Sequence, residues 1–137
     1  DVLLTLRTGR HSNPEITALV PKARLATFLQ SYAPTEEPSV PGDMQRTVDF
    51  PRHLEALGGW STELAPRVRA SNTALTRNAA LVLTADRLIA LERADGAILW
   101  ELELPARAID EGLAIAADGS IILALEDGQI IRVGAEE

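Results

Sequence analysis

The second half of the chain alternates short apolar runs with turn-forming residues. Strand-like runs lie at residues 81–83, 88–91, 98–104, 113–117, 121–125 and 130–133. Asp-Gly pairs, which suit the tight turn of a β-hairpin, stand between several of them, at Asp95-Gly96, Asp118-Gly119 and Asp127-Gly128. A helix over the same stretch would be interrupted three times by glycine. The pattern therefore predicts an antiparallel β meander over residues 79–133.

One of these runs shows strict alternation between apolar and acidic residues. Trp100, Leu102 and Leu104 alternate with Glu101 and Glu103. Successive side chains of a strand point to opposite faces of its sheet. The alternation predicts a strand with one packed face and one solvated, acidic face.

The meander also repeats itself. Residues 83–100 can be laid over residues 115–133, so that Asp86 matches Asp118 and Asp95-Gly96 matches Asp127-Gly128, each at an offset of 32 residues. A period of this size with strand–turn–strand content indicates a repeat architecture, although familiar propeller blades run to roughly 40–50 residues. The alternative interpretation is two ordinary hairpins that share common turn residues.

The first half predicts an irregular segment with one or two short helices. Residues 22–32 place Leu25, Phe28, Leu29 and Tyr32 on one helical face, directly after Pro21. Residues 33–48 are punctuated by proline and predict a loop, and residues 51–57 predict one or two further helical turns that end at Gly58-Gly59. Residues 2–7 form a short β-compatible run. The predicted organisation is therefore an irregular segment at 1–63, a β segment at 64–134 and a tail at 135–137.

Composition and charge narrow the classes of partner. The chain has 137 residues, no cysteine and a net charge of −7. Residues 1–70 carry eight acidic and eight basic residues, whereas residues 71–137 carry twelve acidic and five basic ones. Nucleic-acid binding depends on Lys and Arg, and a membrane-spanning helix needs roughly 20 apolar residues in succession. We therefore expect no nucleic-acid partner and no membrane span.

No catalytic, cofactor-binding or metal-binding constellation is visible in the sequence. His11 and His53 each follow an arginine and have no histidine four residues further on. The sequence contains neither a Gly-x-Ser-x-Gly elbow nor a phosphate-binding loop. The aspartates at 86, 95, 118 and 127 all lie in predicted turns, where their carboxylates satisfy local backbone N–H groups. The sequence therefore predicts a protein without enzymatic activity and without a cofactor.

Residues 90–100 resemble the blade motif of the quinoprotein-like (pyrroloquinoline-quinone-repeat) β-propeller family. That motif reads Ala-Leu-Asp, two variable residues, Thr-Gly, three variable residues and Trp. Gly96 and Trp100 match it, while Glu92 stands for the Asp and Asp95 for the Thr. Residues 110–134, with Asp127 and Gly128 in the turn, resemble the closing blade of large extracytoplasmic bacterial members.

The resemblance covers residues 64–134 and implies a mainly β fold, an antiparallel meander that forms about two propeller-type blades. It implies that Trp100 is first a structural residue that docks between neighbouring sheets. Propellers have 4–8 blades of four strands, so a chain with about two blades is a piece of a larger protein, is completed by other chains, or has its sheets capped by its own irregular half. The first two explanations together are favoured, and they imply another polypeptide that completes or covers the propeller. The expected function is a non-catalytic scaffold or protein-interaction platform in a larger periplasmic or extracellular assembly. The alternatives are a fragment of a quinone-dependent dehydrogenase and a carbohydrate- or surface-binding accessory domain.

Trp60 is the one further aromatic residue that the sequence singles out. It follows Gly58-Gly59 and precedes Ser61-Thr62. An indole in such a context is suited to anchor a partner, and it is equally suited to pack the irregular half onto the β half. Both interpretations stay open at the level of the sequence.

Overall fold

The computed structural model describes residues 1–7, 15–31, 56–65 and 68–134. These ranges form ten strands and one helix, and every strand pairing within them is antiparallel. The elements are β1 (Val2–Arg7), β2 (Glu15–Val20), α1 (Lys22–Ser31), β3 (Trp60–Glu63), β4 (Ala70–Leu75), β5 (Ala79–Thr84), β6 (Arg87–Glu92), β7 (Ile98–Glu103), β8 (Ala108–Ile115), β9 (Ile121–Leu125) and β10 (Ile130–Val133). The predicted mainly β fold with an antiparallel meander is confirmed.

The chain divides into two compact units. The first runs from Asp1 to Arg67 and the second from Val68 to Glu137. The boundary predicted from the sequence lies between residues 63 and 64, slightly earlier. The predicted tail at 135–137 lies outside the described residues.

The first unit contains a three-stranded sheet in the order β1-β2-β3. Strand β1 coincides with the predicted β-compatible run, whereas β2 and β3 were not predicted. The reason lies in their composition. Residues 17–20 of β2 are all buried, so β2 lacks the alternation of a half-buried strand, and β3 has a single large apolar residue, Trp60.

Helix α1 begins and ends close to the predicted bounds of 22–32. Pro21 stands just before it, and its carbonyl accepts a 3.0 Å hydrogen bond from the backbone N–H of Leu25. Leu25 packs in a small core with Ala18 and Val20. The other end of the predicted apolar face, Tyr32, lies outside the described residues.

The predicted stop at Gly58-Gly59 is confirmed in its backbone geometry. Gly58 has a φ of 82°, a conformation that glycine adopts without steric cost. A side chain on Gly59 would collide with the carbonyl oxygen of Leu19 on the neighbouring strand β2. Most of the helical turns predicted before this stop, residues 51–55, and the loop predicted at 33–48 lie outside the described residues.

The second unit consists of two antiparallel meanders. One is a four-stranded sheet in the order β4-β5-β6-β7, and the other is a three-stranded sheet in the order β8-β9-β10. The all-β prediction for residues 79–133 is therefore confirmed. Strand β8 carries a large irregularity, since the two registered pairs Ala108↔Leu125 and Leu113↔Leu123 leave residues 109–112 outside the ladder.

A single apolar cluster joins the two sheets of the second unit. Its buried members come from β5, β6, β8 and β9, and they are Leu81, Leu83, Leu88, Ala90, Ala108, Ile121, Leu123 and Leu125. The alternate residues of β5 and β6, among them Val82 and Leu91, are buried as well. Strands covered on both faces read as continuous apolar runs, which explains why 81–83 and 88–91 show no polar alternation.

Strand directions fix how the two sheets correspond. Strand β8 lies beside β4, and it begins at the β5–β6 turn, where the N–H of Ala108 donates to the carbonyl of Ala85 over 2.9 Å. Strand β4 begins at that same end, because Ala70 pairs with Thr84. Strands β4 and β8 therefore run in the same direction.

It follows that β8, β9 and β10 correspond in position and direction to β4, β5 and β6. The sequence repeat instead laid the β9–β10 hairpin over the β6–β7 hairpin. The structure confirms both hairpins but places them at non-equivalent positions of their sheets, because common turn residues recur wherever a tight hairpin is needed.

Candidate functional site

All three Asp-Gly pairs form the same local structure. The Oδ1 atoms of Asp95, Asp118 and Asp127 each accept a hydrogen bond from the backbone N–H two residues further on, at 2.9, 3.0 and 3.0 Å. The glycines that follow, at positions 96, 119 and 128, have φ angles of 77°, 86° and 86°. Gly96, Asp127 and Gly128 therefore lie in tight turns, where the aspartate carboxylate satisfies a backbone donor and glycine supplies the positive φ. Their role as blade-motif residues stays a prediction.

The structure does not bring these motif residues together. The turn at Gly96 lies beside the β4–β5 turn, since Arg93 donates to the carbonyl oxygens of Thr76 and Arg77. The turn at Asp127-Gly128 lies beside the start of β8, where the N–H of Glu126 donates to the carbonyl of Arg107. The two turns stand at opposite ends of the second unit and form no common site.

Trp100 lies on β7, the edge strand of the four-stranded sheet. It pairs in register with Ala90, a member of the buried cluster, so the two side chains share the face that looks toward the second sheet. Its neighbour on that face, Leu102, is half-buried against the cluster, whereas Trp100 remains 38% exposed. Its predicted docking role between sheets stays a prediction.

The second sheet ends one strand short of Trp100. Strands β8, β9 and β10 match β4, β5 and β6, because β4 and β8 lie side by side. Strand β7 has no counterpart in the second sheet, since no described strand lies beyond β10. Ile130 at the start of β10 is 74% exposed, the highest value among the large apolar residues of the described ranges. Trp100, Ile130 and the outer edge of β10 form the candidate interaction surface of the second unit, and we call it the β10 edge.

Hydrogen-bond alternation shows which backbone groups the β10 edge presents. The N–H of Leu125 donates to the carbonyl of Gln129. Hydrogen-bonded pairs recur at every second residue of the ladder, so the next ones are Leu123 with Ile131 and Ile121 with Val133. In an antiparallel ladder the intervening residues turn their N–H and C=O groups away from the partner strand. The backbone groups of Ile130 and Arg132 therefore point outward.

Ion pairs line the surface of both sheets. Arg87 pairs with Glu101 across β6 and β7, Arg107 with Glu126, and Arg132 with Asp118, at 3.1 Å and 3.3 Å for the first two. The Glu101 carboxylate, as a hydrogen-bond acceptor, raises the pKa of the Arg87 guanidinium. Hydrogen bonds from the hydroxyl and N–H of Ser120 hold the pKa of the Asp118 carboxyl below its ordinary value.

Trp60 lies on β3 in the first unit and pairs in register with Leu19 of β2. It is 8% exposed. The indole is thus part of a packed sheet and offers little surface to a partner in this conformation. A partner contact at Trp60 stays a prediction.

The described residues contain no group of three or more His, Cys, Asp or Glu side chains arranged to hold a metal ion. His11 and His53 lie outside the described ranges. Among the described carboxylates, those of Asp95, Asp118 and Asp127 accept hydrogen bonds in turns, and those of Glu101 and Glu126 form surface ion pairs. Trp100 lies on the edge strand β7.

None of the described helices is long and apolar enough to cross a membrane. Comparison of the chain with protein-family models, with curated proteins and with solved structures finds no match.

The sequence analysis missed Ile98 and Ile130, which are among the most exposed large apolar residues of the described ranges. A signal for them was present. Each follows an Asp-Gly turn by two residues, so they occupy the same place in the two repeated hairpins at the offset of 32. The apolar runs 98–104 and 130–133 suggested packing, and only the edge position of β7 and β10 explains their exposure.

Proposed function

We propose that the chain is a non-catalytic piece of a β-propeller that serves as a scaffold or protein-interaction platform. One observation carries the proposal: two successive antiparallel meanders pack face to face, with their first strands, β4 and β8, side by side and running in the same direction. Four strands per sheet is the strand count of a propeller blade. The resemblance of residues 64–134 to quinoprotein-like blades, with Gly96 in the turn and Trp100 on the last strand, supports the same interpretation.

The same arrangement argues for a polypeptide partner. The described part of the second unit holds seven strands, whereas a propeller ring requires 4–8 blades of four strands. Ile98, Leu99 and Trp100 on β7 are 55%, 47% and 38% exposed. Contiguous exposed apolar residues on a soluble protein mark interaction surfaces. We infer that another polypeptide completes or covers these sheets, and that the acidic surface disfavours nucleic acid as the partner.

A periplasmic or extracellular location belongs to the same proposal. Its support is the resemblance of residues 64–134 to blades of extracytoplasmic bacterial proteins. The partner in this proposal is therefore a component of an extracytoplasmic assembly.

The solution mass of the purified chain tests the proposal. We expect sedimentation and native mass spectrometry to find species heavier than the 14.7 kDa chain, because an incomplete ring leaves apolar surface and strand edges exposed. A monodisperse, cooperatively folded monomer of 14.7 kDa would defeat the incomplete-propeller proposal.

A second experiment tests the non-catalytic part. Pyrroloquinoline quinone and calcium are added to the chain, and the absorption spectrum of the quinone is followed. We expect no spectral change. A calcium-dependent shift would instead support a fragment of a quinone-dependent dehydrogenase.

A further inference from the structure

We propose that the β10 edge binds an extended segment of another polypeptide, which adds as a fourth strand beside β10 and covers Trp100. This inference rests on the proposed function, since it names the kind of partner that the incomplete sheet takes. Two independent features of the second unit lead to it, one in the hydrogen bonding of β10 and one in the packing of β7.

The first feature is an open ladder. Among the described residues β10 pairs only with β9, and the backbone N–H and C=O groups of Ile130 and Arg132 point away from that partner. An edge of this kind is a template for an added strand, and peptide recognition by strand addition uses it. The opposite edge strand of this sheet, β8, lies alongside β4, so the open edge is the one at β10.

The second feature is an apolar side chain without a counterpart. Trp100 faces the second sheet, yet β10 corresponds in position to β6 rather than to β7. The position opposite β7 is therefore vacant within the described residues. A strand beside β10 would fill that position, and its inward side chains would lie against the exposed part of the indole.

Charge indicates the chemistry of the added segment. Residues 71–137 carry twelve acidic and five basic residues, and Asp127 stands in the turn at one end of the β9–β10 hairpin. Arg132, the basic residue of β10, is already paired with Asp118. A segment with apolar residues at alternate positions and basic residues at its ends complements this surface.

A second copy of the chain is a poorer occupant for the same reason. Each copy carries a net charge of −7, and association of two acidic edges is opposed by like-charge repulsion. If two β10 strands paired isologously, the acidic β9–β10 hairpin of the other copy would occupy the position opposite β7.

The test supplies a strand of the stated chemistry in tethered form. The full chain is extended after Glu137 by a flexible Gly-Ser linker and the segment Lys-Val-Thr-Val-Thr-Lys, which gives the segment an effective concentration on the order of millimolar. The matched control carries proline in place of both valines, because proline cannot donate to a ladder. Amide hydrogen exchange of the β10 residues is compared between the two proteins.

We expect the tethered strand to slow exchange at Ile130 and Arg132 by about tenfold or more relative to the proline control, since their outward N–H groups gain acceptors. In a Trp60→Phe background, the emission of Trp100 should also shift to shorter wavelength. Unchanged exchange at both amides would overturn the proposal, as would protection confined to the outer edge of β7. The exchange measurement needs no Trp60 variant and therefore stands if Trp60→Phe fails to fold.

A pair of substitutions at one position separates edge binding from general stabilisation. Arg132→Pro removes an outward N–H and no hydrogen bond to β9, whereas Arg132→Ala removes the same side chain and keeps that N–H. The tethered strand should protect Ile130 in the alanine variant and lose that effect in the proline variant. Equal protection in both variants would contradict strand addition at β10.

Sedimentation of the unextended chain tests whether a second copy of the chain occupies the β10 edge. A concentration-dependent dimer that Arg132→Pro abolishes would assign the β10 edge to a second copy and overturn the proposal. If the tethered strand gives no protection of β10 in a chain that still associates through other surfaces, strand addition is overturned and the proposed function is not. A monodisperse monomer would instead defeat the proposed function, whatever the tethered strand does.

Discussion

The carboxylate of Asp118 accepts two hydrogen bonds from Ser120, one from the backbone N–H at 3.0 Å and one from the hydroxyl at 2.6 Å. Both reach Oδ1, while Oδ2 accepts from the guanidinium of Arg132 on β10. The turn before β9 is thus tied to the last strand of the sheet through one ionised side chain. All of these interactions favour the charged carboxylate.

This arrangement predicts a pH-dependent contribution to stability. The hydrogen bonds from Ser120 lower the pKa of Asp118 below its ordinary value of 3.8. A group with a lowered pKa in the folded state stabilises the fold fully above its unfolded-state pKa, and this contribution is lost as the pH falls through the folded-state pKa. Asp118→Asn should therefore lower the denaturant midpoint at pH 7, and the difference from the native chain should disappear in acid.

The measurement is denaturant unfolding between pH 7 and pH 2. Asp110→Asn, which neutralises an exposed carboxylate on β8, serves as the control and should leave the midpoint at pH 7 nearly unchanged. A difference between the native chain and Asp118→Asn that persists undiminished at pH 2 would contradict the prediction.

The apolar cluster between the two sheets should dominate the stability of the second unit. Leu123 is fully buried in that cluster. Leu123→Ala should cost about 2–5 kcal/mol in the free energy of unfolding, because it removes buried methyl groups and leaves a cavity. Ile130→Ala on β10, where the side chain is 74% exposed, should change it by about 0.5 kcal/mol or less. Equal effects of the two substitutions in denaturant unfolding would argue against the observed packing of the sheets.

Gly112 allows the backbone of β8 to pass close to β9 and to its own irregular segment. A Cβ at this position would lie 2.8 Å from the carbonyl oxygen of Ala124 and 2.7 Å from Cγ1 of Ile109. Gly112→Ala should therefore destabilise the fold by about 1–3 kcal/mol. Gly134→Ala is the matched control, since its Cβ would meet Ser120 at an ordinary 3.5 Å, and similar melting temperatures for both variants would refute the close approach.

Glu111 is the one described residue other than glycine with a positive φ, at 60°. The left-handed conformation costs a residue with a Cβ roughly 1–2 kcal/mol, and glycine adopts it freely. Glu111→Gly should therefore leave stability unchanged or raise it by up to about 1 kcal/mol, which is the reverse of the usual effect of glycine in a strand. The measurement compares the thermal unfolding of Glu111→Gly with that of Asp110→Gly, a variant of the neighbouring residue. A loss of stability at position 111 as large as that at position 110 would contradict the strained backbone.

The two tryptophans should respond differently to a soluble quencher. Trp60 is 8% exposed and Trp100 is 38% exposed. The emission that remains in Trp60→Phe should be quenched by acrylamide more strongly than the emission that remains in Trp100→Phe. Stronger quenching of Trp60 would place its indole at the surface and support its predicted role as a partner anchor.

Local chemistry made much of this fold readable from the sequence. The Asp-Gly turns at 95, 118 and 127, the helix after Pro21 and the left-handed stop at Gly58 depend on residues close together in the chain. Glycine permits a positive φ and aspartate bonds to the backbone two residues on, whatever surrounds them. The alternation around Trp100 likewise predicted a strand with an acidic face, and Glu101 and Glu103 are exposed.

Tertiary structure decided the rest, because strand partners and sheet edges depend on residues far apart in the chain. Strands β2 and β3 of the first unit carry no periodic signal of their own and exist through pairing with each other and with β1. The repeated hairpins read as equivalent, yet their sheets place β10 opposite β6 and leave Trp100 on β7 without a strand to face. By itself the sequence determined an acidic, turn-punctuated β meander. Only the packing of one sheet on the other determined that its last edge is open, because burial is a property of the assembled sheets.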